Sequence, residues 1–165
     1  MEESLEKNNS ESVSRCIEIA GSWISSFSSD VSLPMMSRSC RSFHSRFTAS
    51  WIYAKVLFLG IKFLEREHRY KDSVRLLKQL LACFSSDGRR GKWMLRLSID
   101  LEHVGCPNES LLVAEEALQD PWIRSGSKMA LQRRILRLGK PPRRWKLPSF
   151  ATSVRRKIRE VHIQG

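Results

Sequence analysis

The sequence lacks the residue groupings that catalytic and metal sites usually require. It has four cysteines but no C-x-x-C pair, which argues against a zinc knuckle or a dithiol redox motif. Its four histidines form no H-E-x-x-H set, its serines have no G-x-S-x-G context, and GRRGK (88–92) lacks P-loop spacing. No Asp or Glu lies two residues before a Lys, so the E-x-K element of many nucleases is missing. We therefore predict no catalytic residues, no metal site and no bound cofactor in this chain.

Signals for secretion or membrane insertion are also missing. The N-terminus is acidic and polar, unlike a signal peptide. The longest apolar run, WIYAKVLFLGIKFL (51–64), is too short for a bilayer and contains Lys55 and Lys62. We expect a soluble protein in a reducing compartment, without a membrane partner.

Acidic residues are absent from one long stretch. The net charge is +12 and the pI about 10.1, yet residues 1–33 contain six acidic and only two basic residues. Between Pro121 and Arg159 there are thirteen Lys and Arg and no Asp or Glu. Such a segment favours a polyanionic partner, with nucleic acid ahead of an acidic membrane surface. The simpler alternative is a solvated basic tail.

Apolar periodicity predicts helices throughout, and no strand-like alternation occurs before residue 150. Residues 1–12 are predicted to be disordered, and residues 13–46 to form an N-terminal helix and a Ser-rich linker. Residues 47–139 are predicted to form a helical-repeat domain, with helices at about 47–68, 70–84, 91–104, 109–119 and 127–138. The helix at 47–68 is apolar on most sides, which predicts burial among other helices. Residues 140–165 form a basic linker, whose last part could be a strand start or a frayed helix.

The predicted fold is all-α, a short α-solenoid of helix hairpins that is tetratricopeptide-like, with a disordered N-terminus and a basic C-terminal tail. In the helix at 127–138, Leu131 and Ile135 share an apolar stripe. Arg133, Arg134 and Arg137 are predicted to form a solvent-exposed ridge that tracks phosphates. The free N–H groups at the start of the same helix predict an anion site.

Three segments carry a resemblance to a known family: FTASWIYAKVLFLGIKFLEREHRY (47–70), RRGKWMLRLSIDLEHVG (89–105) and EEALQDPWIRSGSKMALQRRILRLGKPPRRWK (115–146). Together they resemble the helical-repeat region of the Fanconi-associated nuclease family, most of all its plant members. The more specific elements are G-[KR]-W-x-x-R-L and D-P-x-[IV]-R-x-G, and the resemblance covers about residues 47–165.

The resemblance implies a part of a nuclear, structure-specific DNA nuclease that repairs interstrand crosslinks. In that family a SAP-type DNA-binding region precedes the helical repeats, and a nuclease domain that uses magnesium or manganese follows them. We expect this chain to be truncated before that domain and inactive alone. The implied partners are flapped or branched DNA, with a 5′-phosphorylated end, and other repair proteins. The alternative function is a non-catalytic protein-interaction scaffold whose basic face meets an acidic partner.

The family also has a pocket for the DNA 5′ phosphate, which by position resembles Lys92 and Ser127 in this sequence. Animal members tend to have Arg and His there, and Lys128 could substitute for the missing histidine. The residues predicted to bind DNA phosphates are Lys92, Arg96, Arg124, Ser127, Lys128, Arg133, Arg134, Arg137, Arg143 and Arg144.

Overall fold

The computed structural model describes residues 2–27 and 49–154, and every regular element in these ranges is a helix. There are seven in the described part: α1 (Glu2–Phe27), α2 (Ala49–Arg66), α3 (Tyr70–Cys83), α4 (Arg90–His103), α5 (Pro107–Gln119), α6 (Ser125–Leu138) and α7 (Ala151–Val154). The predicted all-α class is confirmed.

Each helix packs against the next one along the chain, which is the arrangement of an α-solenoid. In addition α1 reaches α3, and α4 reaches α6, so that helices two apart lie side by side. Short turns join the hairpins. The α2–α3 turn contains His68 with a φ of 57°, and the α4–α5 turn contains Gly105 with a φ of 89°. The tetratricopeptide-like architecture predicted from the sequence is therefore correct.

Two apolar clusters hold the described helices together. The larger one lies between α1, α2, α3 and α4, with Leu57, Leu77 and Trp93 at its centre. The smaller one lies mainly between α5 and α6 and includes Ala114, Leu131 and Ile135. Helices α4 and α6 also contact each other directly, which positions α6 against α4.

Several helix boundaries differ from the sequence prediction. Residues 2–12, predicted to be disordered, belong to α1, since a helix started by the apolar residues that follow can extend at little cost. Helix α5 begins at Pro107 rather than at about residue 109, because proline is well suited to the first helical position. Helix α6 begins at Ser125, with Gly126 in its first turn. The Ser-rich linker at 28–46 and the C-terminal residues 155–165 lie outside the described residues.

Helix α2 is not buried on every side, contrary to the prediction. Ile52 is 53% exposed and Leu59 is 55% exposed. Lys55, Lys62 and Arg66 lie on the same side, because the spacing 52, 55, 59, 62, 66 follows one helical face. The opposite side of α2 supplies the core. None of the described helices is long and apolar enough to span a bilayer.

Candidate nucleic-acid interface

The starts of α4 and α6 meet at Gly91 and Ser127. A Cβ atom added to Gly91 would lie 2.6 Å from the Cβ of Ser127 and 2.8 Å from its Oγ. Only glycine therefore fits at this position while the two helices keep their separation. Neither N-cap residue, Arg89 of α4 or Arg124 of α6, caps its helix with its own side chain. At the start of α4 the N–H of Arg89 donates to Oδ1 of Asp87. Two N-terminal dipoles thus lie side by side, and both favour an anion.

Three cations surround this junction without a carboxylate partner. Lys92 follows Gly91 and is exposed, Arg124 precedes α6 and is exposed, and Lys128 is half-buried in the first turn of α6. The Arg124 guanidinium lies against Gly88, where an added Cβ would be 3.0 Å from Nη2. None of the three is ion-paired within the described ranges. Four residues predicted to bind DNA phosphates therefore lie at the two helix starts that meet here: Lys92, Arg124, Ser127 and Lys128. Their role in phosphate binding stays a prediction.

Two neighbouring arginines have structural roles that the sequence analysis missed. Arg89 lies between the rings of Trp51 and Trp93, at 5.0 and 5.1 Å from their centroids, and donates to both carboxylate oxygens of Asp87. Its neighbour Arg90 donates to Asp120 at 2.7 Å and to two carbonyl groups at the end of α3. These contacts also neutralise Asp87 and Asp120, the acids that precede α4 and α6 in the sequence.

Arg134 does not belong to an exposed ridge, which corrects the sequence prediction. Its side chain is only 8% exposed. It donates to the carbonyl oxygen of Ser98 at 2.6 Å, to Oγ of Ser110 at 3.1 Å and to Glu102 at 2.8 Å. Successive helical residues are 100° apart, so Arg134 turns towards α4 and α5 while its neighbour Arg133 faces water.

Glu102 also binds Arg137, whose side chain is 57% exposed, at 2.5 Å. Burial opposes ionisation of Glu102, but the hydrogen bonds from Arg134 and Arg137 hold its pKa below the ordinary value. Burial lowers the pKa of Arg134, and Glu102 counteracts this. Of the three ridge arginines, only Arg133 is both exposed and without a carboxylate partner in the described part of the chain.

The other predicted phosphate contacts are at least partly engaged within the fold. Arg96 forms a two-pronged ion pair with Glu65, and the hydrogen bonds that it donates to this carboxylate raise the pKa of Arg96. Arg143 donates to the carbonyl oxygen of Leu138 at 2.6 Å, at the end of α6. Arg144 pairs with Glu115. Each of these three arginines is therefore held by a partner within the fold.

A buried carboxylate lies between α3 and α4. Asp100 accepts a hydrogen bond from the Ser73 hydroxyl, and its other oxygen is buried with no hydrogen-bond partner among the described residues. Burial, together with the negative charge of Glu65, raises the pKa of Asp100 to about 6 against the effect of the Ser73 hydrogen bond. In residues 2–27 and 49–154, no three His, Cys, Asp or Glu side chains are grouped as a metal site would need.

The comparisons with known proteins agree with the fold. Residues 3–139 match the family described as Fanconi-associated nuclease 1, TPR domain. The chain is 55% identical over 165 residues to the Fanconi-associated nuclease 1 homolog of Arabidopsis thaliana, covering all of this chain and 18% of the relative. It is 50% identical over 170 residues to the homolog of Oryza sativa subsp. japonica, covering all of this chain and 17% of the relative.

A more distant relative is Fanconi-associated nuclease 1 of Homo sapiens, which is 34% identical over 99 residues. That alignment covers 58% of this chain and 10% of the relative. The chain thus spans less than a fifth of the length of these curated relatives, and it matches the part to which the tetratricopeptide-repeat domain belongs.

Proposed function

This chain belongs to the Fanconi-associated nuclease 1 family and corresponds to its tetratricopeptide-repeat region, and from this premise we propose that it is the DNA-binding helical module of a structure-specific repair nuclease. The proposed substrate is branched DNA with a 5′ flap, and the proposed setting is interstrand crosslink repair in the nucleus. The module holds the DNA, and the nuclease domain of the family cuts it.

The observation that carries this proposal is the convergence of α4 and α6 at Gly91 and Ser127. Two N-terminal dipoles placed side by side attract an anion more strongly than one. Lys92, Arg124 and Lys128 add positive charge at the same place. The two acids that precede these helices in the sequence, Asp87 and Asp120, are already bound to Arg89 and Arg90. This arrangement supports a site for a terminal phosphate.

The described residues support binding rather than chemistry. The nuclease domain of the family is expected to use magnesium or manganese, and such ions prefer several carboxylate oxygens in one place. The described acids are not grouped in threes with one another or with His or Cys, and Glu65 and Glu102 are engaged with arginines. They do not fit a magnesium site, so we assign the metal to the nuclease domain and no catalytic step to this chain.

The test compares flap DNA that carries a 5′ phosphate with the same DNA that carries a 5′ hydroxyl. A hydrogen bond to a charged group contributes about 1.5–3 kcal/mol. Lys92→Ala is therefore expected to weaken binding of the phosphorylated flap by roughly tenfold or more, and to affect the hydroxyl flap much less. Lys78→Ala removes an exposed lysine from α3 and serves as the matched control. Equal losses of affinity for the two flaps would contradict the assignment of Lys92 to the 5′ phosphate.

The exposed side of α2 supports a second function, that of a scaffold for an acidic partner. Ile52 and Leu59 offer apolar contact, and Lys55, Lys62 and Arg66 offer positive charge, with no acid on that side. An amphipathic helix with a mixed Leu and Glu face would complement both features. Such a helix in another repair protein is the partner that this side favours.

A synthetic peptide helix with Leu and Glu on one face tests this scaffold function. Replacing Lys55 and Lys62 by Glu should abolish peptide binding and leave the 5′-phosphate preference in flap binding unchanged. If both substitutions leave peptide affinity unaltered, the α2 side does not bind an acidic partner.

A further inference from the structure

Three aromatic rings meet at the opposite end of α4 from the phosphate site. The rings of Tyr70 and His103 stack with centroids 4.4 Å apart and planes 13° from parallel. The Nδ1 atom of His68 lies 3.2 Å from the Tyr70 hydroxyl, and this hydrogen bond holds the tyrosine side chain at its hydroxyl end. His103 stays exposed although Tyr70 covers part of it. We refer to Tyr70, His103 and His68 as the ring cluster.

The ring cluster borders an open cavity of about 320 Å³, which also contacts Arg69 and Lys71. Lys71 is exposed, and Asp72, the acid of this cavity, is bound to Arg69 at 2.6 Å. His68 has a φ of 57°, a left-handed backbone conformation that is uncommon outside glycine and recurs at ligand sites. The cavity thus combines flat rings with a free positive charge.

One face of α4 links this cavity to the phosphate site. Lys92, Arg96, Ile99 and His103 follow the spacing i, i+4, i+7, i+11, which places all four on the same side of the helix. Lys92 and His103 are both exposed, and their Cα atoms are about 16 Å apart along the axis at 1.5 Å per residue. A strand of DNA that starts at Lys92 can therefore run along α4 towards the rings.

We propose that the exposed ring of His103, backed by Tyr70, receives an unpaired base of the same DNA strand whose 5′ phosphate lies at Lys92. This inference rests on the proposed function, because it needs DNA at the start of α4. Bases stack on aromatic side chains regardless of sequence, while nearby cations hold the backbone. Lys71 is the cation placed to do so. The hydrogen bond between His68 and Tyr70 keeps the Tyr70 ring, which backs His103, in place.

The test uses 5′-phosphorylated flap DNA with 2-aminopurine at successive positions from the 5′ end, because this base loses fluorescence when it stacks. One position should be quenched on binding to the unaltered protein. His103→Phe should preserve the quenching, whereas His103→Gln, of similar size but without a ring, should remove it. Affinity should fall at least about fivefold with Gln, since base stacking on an aromatic side chain has that effect or more. Lys78→Ala is the control, which should change neither the quenching nor the affinity.

The outcomes separate this inference from the function on which it rests. In one outcome, flap DNA binds with a 5′-phosphate preference that depends on Lys92, but quenching is the same in the unaltered protein, His103→Phe and His103→Gln. The ring cluster then only joins α3 to α4, and this inference fails while the proposed function stands. If the unaltered protein binds no DNA, both fail. Quenching that survives in Phe and disappears in Gln, in variants whose unfolding temperatures match the unaltered protein, supports the base-binding role.

Discussion

Ser127 occupies the space that a side chain on Gly91 would need, with its Cβ only 2.6 Å from the place of the missing atom. This contact fixes the starts of α4 and α6 against each other. It also determines how close Lys92 on one helix comes to Lys128 on the other. The junction therefore serves helix packing and is also a candidate binding site. Adding a single methyl group at Gly91 tests both roles.

We predict that Gly91→Ala separates the two helix starts. The overpacked contact should lower the free energy of unfolding by about 1–3 kcal/mol and reduce the preference for 5′-phosphorylated flaps. Gly126→Ala is the matched control, because an added Cβ there meets nothing within 4 Å. In the interior of a helix alanine is favoured over glycine by up to about 1 kcal/mol, so this control should be neutral or stabilising. Urea unfolding measures the free energy of unfolding of both variants, and similar values for the two would contradict the packing argument.

Arg134 and Arg133 are neighbours in sequence with opposite expected effects on stability. Arg134→Ala leaves Glu102 with Arg137 as its remaining partner and removes a donor from the buried oxygens of Ser98 and Ser110, which should cost roughly 2–4 kcal/mol of unfolding free energy. Arg133→Ala removes an exposed side chain and should change stability by less than about 0.5 kcal/mol. Chemical denaturation of both variants at one pH is the measurement. If Arg133→Ala lowered the free energy of unfolding as much as Arg134→Ala, the burial of Arg134 would not explain its contribution to stability.

Asp100 predicts a dependence of stability on pH. Its pKa is about 6 in the folded chain against an ordinary value of 3.8, so the folded state binds a proton more tightly than the unfolded state. The contribution of this group to stability is therefore fully present below about pH 4 and is lost as pH rises through 6. Asp100→Asn carries no proton to lose and should not show that decline.

The measurement is the free energy of unfolding at pH 4 and pH 7 for the unaltered chain and for Asp100→Asn. The difference between the two pH values should be smaller in the variant. Asp72→Asn, at the exposed start of α3, controls for the general effect of removing one carboxylate. The same pH dependence with and without Asp100 would show that Asp100 does not retain a proton in the fold.

The exposed face of α6 predicts a salt effect that differs between its two arginines. If Arg133 contacts a phosphate, Arg133→Ala should flatten the log–log slope of DNA affinity against salt by about 0.9. Arg137→Ala should flatten it less, because this arginine is already shared with Glu102. Affinity titrations between 50 and 200 mM salt measure both slopes. An unchanged slope for Arg133→Ala would place that side of α6 away from the DNA.

The periodicity of apolar residues was enough to predict the helices and the repeat architecture. Stripes such as Leu131, Ile135 and Leu138 follow from helical geometry alone, and so do the breaks at Gly105 and Asp120. Consecutive helices joined by short loops then favour a solenoid. Lys92 and Ser127 were linked by family resemblance, and the tertiary structure gives this link a physical form at Gly91.

The sequence by itself determined that the described part of the chain is helical and rich in positive charge, because both depend on local spacing and residue counts. Only the tertiary structure decided which charges are free. Arg134 is bound because Ser98, Ser110 and Glu102 come from two other helices to meet it, and no local pattern reveals such partners. The pairing of Arg96 with Glu65 and the stacking of His103 on Tyr70 are set in the same way, by contacts between residues far apart in the chain.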